Sequence, residues 1–247
     1  MRAMILAAGL GTRLKPLTDS TPKGLIKIKD NTLLELQINK LKSEGFDQII
    51  INVHHFAEQI RNYLEQKNFS NCKIEISDES NLLLDTGGGL KNASHFFFDR
   101  KPFLVYNVDI LSNISLKKLM DCHIDSKSLA TLAVQDRESS RKFLFDENNF
   151  LSGWTNERTG EKIISRNSLA ELKAMSFSGI QIVDPKIFKY FPEKNVFSLI
   201  EFYLTAAKDE KIFGYVHNDD EWIDVGKIND LSNAENLLAA LKSTYQV

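Results

Sequence analysis

The feature that most restricts the fold is an alternation in the first 125 or so residues, where short apolar runs take turns with amphipathic stretches. Ala3 to Ala7 carries no polar side chain and reads as a buried strand. Leu33, Leu34, Leu36, Ile38 and Leu41 then recur at helical spacing, and Gly45 follows where a C-terminal glycine stops a helix. The same logic gives strands at Ile49 to Val53, Lys73 to Ile76 and Phe103 to Tyr106, with helices at Phe56 to Leu64 and Gly89 to Phe98. A βαβαβαβ order builds a parallel sheet covered on both faces, because each crossover helix must bury its apolar stripe against the strands.

After Leu129 the runs become shorter and richer in strand residues: Leu129 to Val134, Lys142 to Phe145, Phe150 to Trp154 and Met175 to Val183. Helices at Val196 to Lys208 and Ile228 to Leu241 flank a strand at Ile212 to Val216 and a short Trp222 to Val225 segment. The expected architecture is therefore α/β, a Rossmann-like three-layer sandwich around a central mixed, mainly parallel sheet. No Pro-, Gly- or Ser-rich linker divides the chain, so residues 1–247 read as one domain, with lobes of about 1–125 and 126–247.

Composition excludes several functions. With 31 Lys and Arg against 33 Asp and Glu, no broad charge attracts nucleic acid or an anionic membrane. No apolar stretch reaches the length of a membrane span or a signal peptide. Cys72 and Cys122 stand far apart without a CxxC or a nearby histidine pair, which argues against a zinc ribbon or a disulfide scaffold and for a reducing cytoplasm. His54 and His55 read as ordinary turn residues at a strand end.

Any bound anion must then be held locally, and the segment after the first strand is built for that. It reads Leu6-Ala7-Ala8-Gly9-Leu10-Gly11-Thr12-Arg13-Leu14, then Pro16-Leu17-Thr18 and Pro22-Lys23. Small residues let backbone N–H groups approach a polyphosphate closely. Residues 1–30 carry six cations against two acids. The third glycine of a dinucleotide fingerprint is missing and no GxxxxGK[ST] occurs, which weakens readings as an NAD-dependent oxidoreductase or a P-loop protein.

Two further segments carry chemistry. Leu84-Asp85-Thr86-Gly87-Gly88-Gly89-Leu90 places three glycines at a helix start, where Asp85 or Thr86 can cap and bare backbone can lie against a flat base; tight strand-to-helix packing is the alternative. Asn107-Val108-Asp109 ends a strand, where ligands of open α/β sheets bind, so Asp109 stands where a catalytic carboxylate belongs and needs a second carboxylate as partner. Two carboxylates joined by phosphate oxygens and water make the hard oxygen shell that Mg²⁺ prefers.

The N-terminal signature closely resembles that of the sugar-phosphate nucleotidylyltransferases, and with the TGGG segment and short length most resembles their N-acetylmuramate-1-phosphate uridylyltransferase branch. Mannose-1-phosphate guanylyltransferases and phosphocholine cytidylyltransferases stand close behind. The resemblance implies the nucleotide-diphospho-sugar transferase fold. It also implies Mg²⁺-dependent transfer of a nucleoside monophosphate, preferably from UTP, to a sugar 1-phosphate.

By that resemblance Arg13, Lys23, Asp109 and Asp224 are catalytic, with Mg²⁺ on the two aspartates. Leu6, Ala7, Ala8, Gly9, Gly11, Thr12, Arg13, Glu79, Thr86, Gly87, Gly88 and Asn107 would contact the nucleotide, and Lys23, Gly179 and Trp222 the sugar phosphate. Phe177 is implied near the sugar as well. Three departures stand out: Gly24 replaces a second proline, Val108 replaces a small residue, and Trp154-Thr155-Asn156 replaces the Glu-Lys pair of hexose-1-phosphate members. A non-catalytic nucleotide-sugar sensor on the same fold is the rival from another class; it would tolerate loss of the metal carboxylates.

Overall fold

The computed structural model describes residues 1–167 and 170–245. The strands are β1 (Arg2–Leu6), β2 (Lys27–Ile28), β3 (Asn31–Thr32), β4 (Gln48–Val53), β5 (Lys73–Asp78), β6 (Phe103–Asn107), β7 (Ile110–Ser112), β8 (Ala130–Gln135), β9 (Arg141–Phe145), β10 (Leu151–Asn156), β11 (Glu161–Ile164), β12 (Lys173–Val183), β13 (Ile212–Val216) and β14 (Trp222–Asp224). The α-helices are α1 (Leu33–Ser43), α2 (Ala57–Lys67), α3 (Asp85–Asn92), α4 (Leu116–Ser126), α5 (Leu199–Ala206), α6 (Asp230–Ala240) and α7 (Lys242–Tyr245).

A mixed sheet runs β11-β10-β9-β12-β6-β1-β4-β5, with β8 and β13 joined beside β12. Strands β5, β4, β1 and β6 are parallel, as alternation with helices requires, whereas β12 runs antiparallel to β6, β8 and β9. Both faces are covered. Ala3 and Ile5 enter the core under α1 and α6, while Met4 between them enters the core shared with α3 and α5. Alternate side chains of a strand point to opposite faces, so a wholly apolar β1 needs cover on both.

Local chemistry sets the helix ends. The Thr32 hydroxyl accepts from the Glu35 amide at 3.1 Å to start α1, and Gly45, at φ +85°, carries the chain away from its end. The structure moves one expected helix: α3 begins at Asp85, not Gly89, and after Asn92 only a 3-10 turn, Ala93–Phe96, continues it. The cap position belongs to Leu84. Asp85 instead opens the helix at φ +61° and takes the Thr86 amide on Oδ1 at 2.6 Å.

Candidate active site

Three parallel strands end at one level. Leu6 of β1 pairs in register with Asn52 of β4 and Asn107 of β6, so the chain following β1 emerges between two asparagines at the carboxyl edge of the sheet. The Ala7 amide donates to Asn52 Oδ1 at 2.8 Å, Asn52 Nδ2 donates to Glu79 Oε1 at 2.7 Å, and the Leu84 amide donates to Glu79 Oε2 at 3.2 Å. This chain ties the glycine loop to the start of α3. Burial pushes the Glu79 carboxyl above its ordinary range, against the opposing pull of the Asn52 hydrogen bond.

Beyond Ala8 the loop turns at Gly11, whose φ of +62° disfavours any residue with a Cβ. Its carbonyl accepts from the Leu14 amide at 2.8 Å and the Thr18 hydroxyl at 2.9 Å, and the fully buried Leu14 anchors the turn below. Gly9 differs: a Cβ there would meet nothing within 4 Å, so its backbone lies open.

The carboxylates meet through a small second sheet. Strand β14 runs antiparallel to β7 with Asp224 opposite Ile110, and the Val225 amide donates to the Asp109 carbonyl at 2.9 Å. Asp109 and Asp224 are thereby brought side by side although they are far apart in sequence. Burial raises the Asp224 pKa first, the neighbouring Asp109 charge raises it further, and Lys23 and Arg13 pull it back. Lys23 Nζ donates to Asp109 Oδ2, and Arg13 Nη2 lies 3.6 Å from Asp224 Oδ2.

Asp224 Oδ1 is buried without a hydrogen-bond partner among the described residues. An orphaned anionic oxygen beside a second carboxylate is a donor set that suits a divalent cation. Among the described residues no cluster of three or more His, Cys, Asp or Glu side chains forms, so phosphate oxygens and water would complete the shell.

A cavity of about 540 Å³ opens here, and eleven expected residues line it: Leu6, Ala8, Gly9, Gly11, Thr12, Arg13, Lys23, Glu79, Thr86, Asn107 and Asp109. The other seven, Phe177 among them, do not. Ala7 is buried with its amide on Asn52, and Asp224 stands beside Arg13, 3.6 Å from its guanidinium. Gly87 and Gly88 favour the packing alternative: both amides donate to the Phe197 carbonyl, at 2.9 and 3.2 Å. A Cβ on Gly87 would strike the Phe197 ring, and one on Gly88 the Asn195 carbonyl. These glycines exist for close packing.

Gly179 stands behind the cavity wall, with no room for a Cβ 2.9 Å from Asn107 Nδ2. Trp222 is half-buried; its Nε1 donates to the Ser178 carbonyl at 2.8 Å. Phe177 packs edge-on against Phe143 in the strand region. Val108 avoids positive φ and lines the cleft. Asn52, Leu83, Asp85, Val196 and Gly226 also line it and were not expected. Asn52 left a signal as a polar residue interrupting the apolar run of β4, and Asp85 lies within the glycine segment read as carrying chemistry.

Residues 2–240 match the family described as Nucleotidyl transferase. The chain belongs to that family. This nucleotidyl transferase is 31% identical to a UTP--glucose-1-phosphate uridylyltransferase of Synechocystis sp. (strain ATCC 27184 / PCC 6803 / Kazusa), over 93% of this chain but only 61% of that relative's length. It is 29% identical to an N-acetylmuramate alpha-1-phosphate uridylyltransferase of Caulobacter vibrioides (strain ATCC 19089 / CIP 103742 / CB 15), over 96% of each chain. The crystal structure of HddC from Yersinia pseudotuberculosis superposes with a TM-score of 0.75 at 25% identity, covering 96% of this nucleotidyl transferase and 99% of that chain.

Proposed function

We propose that this nucleotidyl transferase moves a nucleoside monophosphate from a nucleoside triphosphate, UTP for preference, to a sugar 1-phosphate, releasing pyrophosphate. The observation that carries the reading is the meeting of Asp109 and Asp224, each faced by a cation, beside a cleft walled by the glycine loop. A preference for UTP follows the uridylyltransferases among its relatives, one of which it matches along nearly its whole length.

The chemistry needs no general base. A phosphate monoester has its second pKa near about 6, so at neutral pH an acceptor oxygen is largely deprotonated and carries a free electron pair. That oxygen forms the new bond to the α-phosphorus as the bond to the pyrophosphate oxygen breaks, in line. Lys23 would hold the α-phosphate and the acceptor phosphate together, while Arg13 would receive charge on the departing pyrophosphate. Amides of residues 8–12 would hold the triphosphate tail. Asp109 and Asp224 would hold Mg²⁺, which would supply charge neutralisation at the phosphate oxygens. Cys72 and Cys122 are both unpaired, which fits a cytoplasmic location; no described helix is long and apolar enough to cross a membrane.

The test is a matrix of four nucleoside triphosphates against sugar 1-phosphates and phosphocholine, with Mg²⁺, scored by pyrophosphate release. Turnover with a sugar 1-phosphate supports the reading. Turnover only with phosphocholine replaces the acceptor, and silence across a folded protein points to a nucleotide-sugar sensor.

A further inference from the structure

Strand β12 slips its register against β8 between Phe177 and Gln181. Gly179, at φ +74°, lies within the slip and is pressed between Asn107 and Ile110. Bulges of this kind re-aim side chains beside active sites. Two carbonyls at this one accept from side chains on other elements: Phe177 O from Arg137 Nη2 and Ser178 O from Trp222 Nε1, both at 2.8 Å. The bulge thus fixes an arginine and a tryptophan together, with the guanidinium carbon 3.9 Å from the centroid of the indole.

Arg137 is placed for more than anchoring its own loop. Its Nε is buried and has no hydrogen-bond partner among the described residues, although a guanidinium is a fork whose donors suit an oxyanion. Trp222 and Asp224 are alternate residues of β14 and share one face, which puts the stacked guanidinium on the side of the strand that carries the carboxylate. Burial lowers the Arg137 pKa and the Asp224 charge raises it back, so the two groups feel one another.

Charge balance says what the fork is for. Arg13 and Lys23 already face Asp224 and Asp109 one for one. An acceptor phosphate brings a further charge of about −2 into the site. We infer that Arg137, held over the Trp222 ring by the Phe177 to Gly179 bulge, grips an oxyanion of the acceptor. This rests on the nucleotidyl-transfer reading. The oxyanion is either the 1-phosphate itself or a carboxylate carried elsewhere on the sugar, and the two are separable by choice of acceptor.

The experiment compares the unaltered protein with R137K and R137M. Nucleotide affinity is measured by calorimetry with a non-hydrolysable triphosphate and no acceptor. Acceptor KM is measured by pyrophosphate release, with one hexose 1-phosphate lacking a carboxylate and one bearing a carboxylate ether. In R137M the acceptor KM is expected to rise about 10- to 100-fold, the worth of a charge-assisted hydrogen bond, with the nucleotide dissociation constant unchanged.

A rise with both acceptors assigns Arg137 to the phosphate; a rise confined to the second assigns it to the carboxylate. Unchanged acceptor KM, or an equal loss of nucleotide binding, overturns the inference in favour of a scaffold role. Should R137M fail to fold, R137K decides, because it keeps the charge but not the fork; wild-type KM in R137K overturns the inference. If the unaltered protein turns over no sugar 1-phosphate of the wider panel, the sugar 1-phosphate reading itself fails, and the inference falls with it.

Discussion

Arg13 reaches Asp224 across the backbone of Gly226: the guanidinium stands 3.6 Å from the carboxylate, and a Cβ on Gly226 would lie 2.6 Å from Arg13 Nη2 and 2.9 Å from Asp224 Oδ1. A side chain at residue 226 would have to displace the guanidinium from this position. Gly226→Ala is expected to push Arg13 aside while leaving the core untouched. Displacements near 1 Å at a reacting centre cost up to about 10²-fold in rate. Pyrophosphate-release kinetics should show kcat/KM falling toward that extent with the melting temperature nearly constant; unaltered kinetics would mean that the position of Arg13 does not matter.

Glycines 9 and 88 should respond in opposite ways. A methyl group added at Gly9 would meet no heavy atom within 4 Å and would project at the cleft, so Gly9→Ala should keep stability and weaken triphosphate binding. Gly88→Ala drives a methyl into the Asn195 carbonyl, an overpacking that costs about 1–3 kcal/mol or more. Urea titration alongside nucleotide calorimetry separates the two. If Gly88→Ala were as stable as the parent protein, the packing account of the TGGG segment would be wrong.

The two aspartates should also differ. Asn at either position is expected to lower kcat on the order of 10²–10³-fold, as loss of a group that holds charge in place does elsewhere. Stability parts them. Asp109→Asn strands Lys23, whose side chain is 10% exposed, and should cost about 1–3 kcal/mol. Asp224→Asn strands Arg13, which is 58% exposed, and relieves Asp224 of a buried like-charge contact, so stability should hold or rise. Equal losses of stability in the two variants would contradict this asymmetry.

How much of this was legible in the sequence depended on how local the cause was. β1, α1, β4 and β6 announced themselves because each carries its own periodicity, and the glycine loop because its composition and charge lie within one stretch. α4 was missed although Ser115 caps it on the Lys118 amide and Leu116, Leu119 and His123 form its buried stripe. β11 was missed because all four of its residues are exposed, leaving no alternation to read. The misplaced start of α3 and the packing of its glycines share an origin: their partners, Asn195 and Phe197, lie more than a hundred residues away and nothing in the segment points to them. Val196 entered the cleft unannounced for that reason too.

Two buried histidines should make the protein sensitive to acid. His123, on α4, has Nδ1 3.0 Å from Thr131 Oγ1, and His217 has Nε2 2.8 Å from Ser178 Oγ. Burial lowers each pKa to about 4; the Arg137 charge adds to the effect at His217, while Asp184 opposes it at His123. In the unfolded chain both return to the ordinary value near 6.5. Between those limits the unfolded state binds more protons than the folded one, so stability rises with pH. The contribution is complete above about pH 6.5 and is lost progressively as pH falls toward 4, at up to about 3 kcal/mol for each histidine. Denaturant midpoints measured from pH 8 to pH 4 should fall mainly below 6.5. His123→Gln and His217→Gln should each flatten that fall while lowering stability at pH 8, where the native hydrogen bond is lost. A midpoint curve of the double variant that drops as steeply as the parent's would assign the acid sensitivity to the carboxylates instead.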